Sequence, residues 1–293
     1  MSETSLRNPQ TSAQSSLDKP RTVVDASRLT SIPWDELWRF RELFLFLAWR
    51  DFLVRYKQTA IGIFWAVLQP VLQMIVLTIV FGSVAGMEEN EGQPYAIMVL
   101  AGILPWQFFA QSLNFGSLSL INNHPLVAKT YLPRLLLPAS TIAVNFIDLA
   151  IALLLLLILM PLFGVWYSWT MLAILPLTLL ATLLSLGCAL FVSALNVKYR
   201  DFKYVLPFFI QIGLFATPVG WSSDRLLEQP EIVQWLFYLN PMTGVVDGFR
   251  WAVFGEGNIQ WSAFGVSVVG TLLLAHFGLR FFRRSEAWFA DVI

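Results

Sequence analysis

Six stretches of continuous apolar sequence run through the chain, at 60–84, 94–118, 138–163, 169–195, 205–221 and 261–282. Each supplies roughly the 20 residues that a helix needs to cross about 30 Å of hydrocarbon. The runs are unbroken rather than alternating, so helices are predicted and not the strands of a barrel. The expected architecture is all-α, a polytopic membrane protein with six transmembrane helices. Polar patterning subdivides the rest. Residues 1–33 are rich in Ser, Thr, Gln and Asn and predict a disordered tail. Within 34–58, Asp35, Arg39, Glu42, Arg50 and Lys57 share one helical face, while Leu37, Trp38, Leu45, Trp49, Phe52 and Tyr56 lie mostly elsewhere. That predicts an amphipathic interface helix, with a soluble helix packed on a partner as the alternative. Residues 59–293 form the six-span domain.

Two connections break the simple alternation. Between the second and third runs, 121–137 carries His124, Pro125, Lys129, Pro133 and Arg134, predicting a short helix and a turn. Between the fifth and sixth, the apolar stretch 232–239 is too short to span, and Asn240-Pro241 separates it from an amphipathic piece at 242–254. The expectation is two re-entrant helices over about 222–254, dipping from the outer face as a gate. Backbone of that kind persists at membrane depth only where protein or a water-filled cavity satisfies it.

Charge orients the whole. Of 19 Lys and Arg, 17 fall on one side of the six-run pattern and only Arg225 and Arg250 on the other. Basic residues are retained where the chain enters the membrane, so both termini are expected in the cytoplasm. Hydrophobic residues make up 57% and charged residues 13% of the chain, against about 25% charged in a soluble domain. The formal net charge is zero, which gives no bulk attraction to nucleic acid. The single cysteine, Cys188, excludes an intrachain disulfide and a cysteine metal cluster. Residues 1–30 lack the apolar core of a cleavable signal peptide, so the first run is expected to direct insertion.

Polar side chains recur at helical spacing inside three runs: Trp65, Gln69 and Gln73; Gln107, Gln111 and Asn114; Thr141, Asn145 and Asp148. Polar groups in hydrocarbon are costly and face a bundle interior or a cavity. Singly, each is accounted for by an interhelical hydrogen bond worth about 0.6 kcal/mol. Together they suggest a polar conduit in which amides and aromatic rings meet a hydroxyl-rich substrate. Arg50, Arg55 and Lys57 could hold a phosphate-bearing headgroup, or simply anchor the chain at the interface. No nucleophile–base arrangement and no metal site is apparent. The chain has five Lys and no Gly-Lys dipeptide, hence no G-x-x-x-x-G-K-[ST] phosphate loop. ATP-driven transport would need a separate ATPase, with 123–129 its obvious contact.

Longer motifs add a family resemblance. LAWRDFLVRYKQTAIGIFWAVLQPVLQMIVLTIVFG (47–82), PYAIMVLAGILPWQFF (94–109), NNHPLVAKTYLPRLLLP (122–138), ALNVKYRDFKYVLPFFIQIGLFATPV (194–219), NPMTGVVDGFR (240–250) and EAWFADVI (286–293) resemble ABC-2 type permeases of the polysaccharide and polyol-phosphate export family. The resemblance covers about 35–293. It implies a homodimeric permease with two ATP-binding cassette subunits, which bind the ATP and Mg; no cofactor is expected in this chain. It implies export of a lipid-linked glycan, typically on undecaprenyl-pyrophosphate, across the bacterial inner membrane. O-antigen is the favoured cargo, with capsule, teichoic acid, lipid or drug as alternatives.

By position, the resemblance makes 121–137 the coupling helix, with Asn123, His124, Leu126, Val127 and Lys129 facing the ATPase. It makes 34–57 the substrate entrance, with Arg50, Arg55 and Lys57. It makes 222–254 the outer gate, with Asp224, Trp235, Asn240, Pro241, Asp247 and Arg250. The conduit is expected between two copies, lined by Trp65, Gln69, Trp106, Gln107, Gln111, Phe208, Gln211 and Phe215. A polyprenyl-phosphate-processing membrane enzyme, which would need clustered cytoplasmic acids, is the rival class; Asp201 stands among basic residues instead.

Overall fold

The computed structural model describes residues 38–57, 62–86, 93–129, 132–255 and 260–292. The expected tail at 1–33 lies outside them, and among them every regular element is helical. In chain order they are α1 (Arg41–Tyr56), α2 (Trp65–Leu77), α3 (Tyr95–Asn122), α4 (His124–Lys129), α5 (Leu136–Leu162), α6 (Ile174–Lys198), α7 (Phe202–Phe215), α8 (Glu231–Tyr238), α9 (Pro241–Phe254) and α10 (Trp261–Val292). A π-helical turn, Thr78–Val84, prolongs α2, and a 3-10 turn, Trp169–Ala173, leads into α6. Among the described residues, five segments are long and apolar enough to cross a membrane: Gly62–Val84, Tyr95–Asn122, Leu136–Leu162, Trp169–Lys198 and Trp261–Glu286.

The fifth apolar run behaves differently from the other five. Its helix, α7, has 14 residues, about 21 Å at a rise of about 1.5 Å per residue. The chain then turns through 216–221. Pro218 explains the stop: it disfavours helical geometry at Thr217 and brings no N–H of its own. The Thr217 hydroxyl instead bonds back to the Gly213 carbonyl at 2.8 Å.

Helix α3 is the hub, packing against α2, α5, α6, α7 and α9. Its apolar residues form one core with α5, α6 and α9, through Leu100, Leu104, Leu156, Leu184, Val246 and Phe249. Helix α9 contributes ten buried residues out of 14, so it is enclosed rather than two-faced. A second core gathers Leu47 of α1 with Leu120, Val127, Leu137, Leu190 and Phe282. Helix α1 therefore runs along α5, seating Leu47 (1% exposed) and leaving Phe46 and Trp49 outward.

The tightest crossing is between α6 and α10. A Cβ on Gly187 would sit 2.4 Å from the Ala275 Cα, and one on Gly278 would sit 2.0 Å from the Gly187 carbonyl oxygen. Only hydrogen fits there. In lipid, such small-residue faces replace the hydrophobic drive that water supplies to soluble helices.

Candidate functional site

Helices α2 and α3 run antiparallel and are joined by a seam of amides. The Gln107 Nε2 donates to Gln73 Oε1 at 2.6 Å, and Gln111 Nε2 reaches Gln69 Oε1 at 3.5 Å. The i, i+4 spacing on both helices puts one pair above the other. A cavity lies on each side of this seam, and Gln69, Gln107, Gln111 and Asn114 line both.

The smaller cavity, about 280 Å³, is closed by α7 through Pro207, Ile210, Gln211 and Leu214, with Trp106 from α3. Gly213 lets α7 approach: a Cβ there would come within 2.7 Å of the Trp106 ring. The larger cavity, about 410 Å³, is bounded by α1, α2, α3 and α5. One end of it is a polar network. Arg55 Nη1 donates to Asp148 Oδ2 at 2.6 Å and to Asn145 Oδ1 at 2.8 Å, and its guanidinium lies 4.4 Å from the Phe115 ring centroid. The Tyr56 hydroxyl donates to Asp148 Oδ1, and Asn145 Nδ2 donates to Ser112 Oγ at 3.0 Å. Every charge in this half-buried network thus has a partner, the condition for keeping ions away from water.

Of the expected conduit residues, Trp65, Gln69, Gln107 and Gln111 line the larger cavity. Gln69, Trp106, Gln107, Gln111 and Gln211 line the smaller one. Phe208 and Phe215 fall outside both, 61% and 57% exposed on the outer face of α7. At the expected entrance, Lys57 is exposed and Arg55 is committed to Asp148. Arg50 bonds Asp51 and, at 2.7 Å, the Asn123 side chain. Asn123 ends α3, bonding back to the Ser119 carbonyl. In α4, Leu126 and Val127 turn into the second core, while His124 and Lys129 face outward.

The segment after α7 is held by Arg250, 8% exposed on α9. Its Nη1 donates to the Trp221 carbonyl at 2.8 Å and its Nη2 to the Val219 carbonyl at 2.7 Å. Nε lies 3.4 Å from the Met98 carbonyl. Asp247, one turn away, is 3.8 Å from the guanidinium and accepts from the Ser223 hydroxyl at 2.6 Å. Burial pushes the Asp247 carboxyl up to about 6; Asp224 adds to the rise, while Arg250 and Ser223 oppose it. Asn240 caps α9 through Met242 N at 3.1 Å and donates to Thr217 Oγ1 at 2.8 Å, with Pro241 at the first helical position. Trp235 and Asp224 are exposed.

The Arg55–Asp148 pair was not legible as a pair. Its members are 93 positions apart. The available signal was Asn145 and Asp148 at i, i+3 in an apolar run, and this spacing marks a polar face without naming its partner.

The ABC-2 type transporter family profile matches residues 42–254. The chain belongs to the ABC-2 type transporter family. This membership makes it the membrane subunit of a transporter. An O-antigen export system permease protein, RfbA, from Myxococcus xanthus is 27% identical over 221 residues, covering 75% of this chain and 83% of that protein. Two proteins of the same name from Klebsiella pneumoniae are each 23% identical over 253 residues, covering 86% of this chain and 95% of theirs. The matched region begins in α1 and ends with α9, so it takes in both cavities and the Arg250 cluster.

Proposed function

We propose that this ABC-2 transporter exports O-antigen, as a lipid-linked glycan, across the bacterial inner membrane. The observation that carries the reading is the amide-lined space along the α2–α3 seam, in a chain whose relatives, matched over most of their length, are named O-antigen export permeases. Side-chain amides and indole rings present hydrogen bonds and flat apolar faces to a polyhydroxylated chain without charge. The lipid carrier is of the undecaprenyl-pyrophosphate type.

The functional unit is a homodimer with two ATP-binding cassette subunits, which bind ATP and Mg and supply the hydrolysis. Helix α4 is the coupling element, its outward His124 and Lys129 meeting the ATPase while Leu126 and Val127 carry the displacement into the second core. Two copies enclose the conduit between their α2 and α7 faces, where Phe208 and Phe215 add to the lining. Helix α1 forms the entrance. Both termini are cytoplasmic and the membrane is crossed six times. The charge distribution agrees with that count: with α7 and 216–221 completing a crossing, 17 of 19 basic residues share a side, the three that end the last span among them. Helices α8 and α9 are then the outer gate, folded back from the far face and pinned by Arg250.

The test is export in cells. With the chromosomal copy deleted and the partner ATPase retained, this chain should restore surface O-antigen. Accumulation of glycan inside the cell despite a correctly assembled complex would refute the reading.

A further inference from the structure

The two cavities flanking the α2–α3 seam differ in chemistry, and only one faces α7. The larger is closed by α1 and α5 instead, away from the route between α2 and α7. Its volume, about 410 Å³, lies within the roughly 300–1,000 Å³ of small-ligand pockets. Arg55 and Asp148 are the only charged residues among its described lining, and they neutralise each other. An anionic ligand would meet the Asp148 carboxylate without a net cation to repay its desolvation. A neutral one fits.

The polar groups present are those that read vicinal hydroxyls. Nη1 of Arg55 is spent on Asp148 and Asn145; its Nε–Nη2 edge, which bonds no other side chain among the described residues, is a two-pronged donor. Gln69 and Gln111 meet only at 3.5 Å, close to the limit of a hydrogen bond, so either amide can turn to a ligand at little cost. Asn114 lines the same space, and Trp65, about half exposed, offers an indole face to ring C–H groups.

Resting on the export reading above, we propose that the larger cavity is a saccharide subsite beside the conduit, holding one or two neutral sugar units of the glycan. The four residues common to both cavities make the seam a shared wall, across which a sugar unit is handed to the α7 side. Helix α1 connects the subsite with the coupling element. It carries Arg55 and Tyr56 at the cavity and Arg50 on Asn123, which immediately precedes α4.

The test is saturation-transfer NMR on the full permease in lipid nanodiscs. The probes are neutral methyl hexosides and methyl N-acetylhexosaminides, with glycerol 3-phosphate and dihexanoyl phosphatidylcholine for comparison. Ala66→Phe and Ala152→Leu each fill the cavity and remove no polar group. Val269→Ala, on the exposed surface of α10, touches neither cavity and serves as the control. Size-exclusion profile and thermal stability select the filled variant that remains folded. The expected result is glycoside binding by the wild type, weakened roughly tenfold (about 1.4 kcal/mol) in the filled variant and retained in Val269→Ala. Equal glycoside binding in the filled variant, or binding of the phosphate probes alone, overturns the subsite. If export by the wild-type complex persists in that case, the exporter reading stands. Loss of glycan export by the wild-type complex is instead the failure of that reading.

Discussion

Replacing Arg250 with Met keeps the length of the side chain and removes every donor. Two carbonyls, of Val219 and Trp221, then lose hydrogen bonds of 2.7 and 2.8 Å. Each abandoned buried acceptor costs about 1–3 kcal/mol, so about 2–6 kcal/mol is at stake. The contact to the Met98 carbonyl, at 3.4 Å, adds little. Against the loss stands relief from burying a guanidinium, which here has an Asp247 carboxylate oxygen 3.8 Å away. The net expectation is a destabilisation of about 2–4 kcal/mol. Arg250→Lys should recover only part, since a single ammonium cannot span both carbonyls as a planar fork does. Unfolding in mixed micelles measures the total. Amide hydrogen exchange locates it, with protection falling at 219–223 and unchanged across the α6–α10 crossing. An Arg250→Met protein within about 0.5 kcal/mol of wild type, the range of ordinary surface substitutions, would refute the claim that this cation holds the segment after α7.

Four further outcomes are expected. Gly278→Ala places a methyl group 2.0 Å from the Gly187 carbonyl oxygen, so α6 and α10 must part, at a cost of about 1–3 kcal/mol; a wild-type melting profile would show that the crossing has slack. Arg55→Met and Asp148→Leu should each cost about 3–5 kcal/mol, because each strands a partly buried charge, while the double variant recovers most of the loss; additive losses would deny the pairing. Asp247 is raised to about 6 from an unfolded value of 3.8, so the native chain holds that proton more tightly. Its ionisation penalty is therefore absent below about pH 4 and complete above about pH 6, and the stability gap between Asp247→Asn and wild type should widen over that window and then level off. Finally, Gln69→Leu with Gln111→Leu should lower export and leave dimer assembly intact; unchanged export would remove both residues from the conduit.

Hydropathy alone located most of this architecture. The first, second, third, fourth and sixth apolar runs became membrane-length helices because continuous apolar sequence has no other way to satisfy its backbone in lipid. The fifth run was read too long. Its apolar residues continue through Trp221, yet Pro218 ends the helix, and the hydropathy of Val219 and Trp221 conceals that their carbonyls are acceptors for Arg250. The stretch 242–254, helix α9, was read as amphipathic. Its burial on nearly every side became visible only once α3, α6 and α10 were placed around it. Periodicity put Gln69 and Gln73 on one polar stripe and Gln107 and Gln111 on another; that the two stripes meet, pairing Gln107 with Gln73, became visible only once the helices were placed side by side. The Arg55–Asp148 and Arg50–Asn123 contacts join residues 93 and 73 positions apart, and local pattern holds no information at that range.

The most direct test of the account is ATP hydrolysis by this permease purified with its cognate ATPase in nanodiscs, with and without the lipid-linked O-antigen. The account predicts a stable complex whose hydrolysis rate changes when the glycan is added and does not change with the carrier lipid alone. A permease that binds no ATPase in detergent or lipid, or a complex indifferent to the glycan, would contradict it.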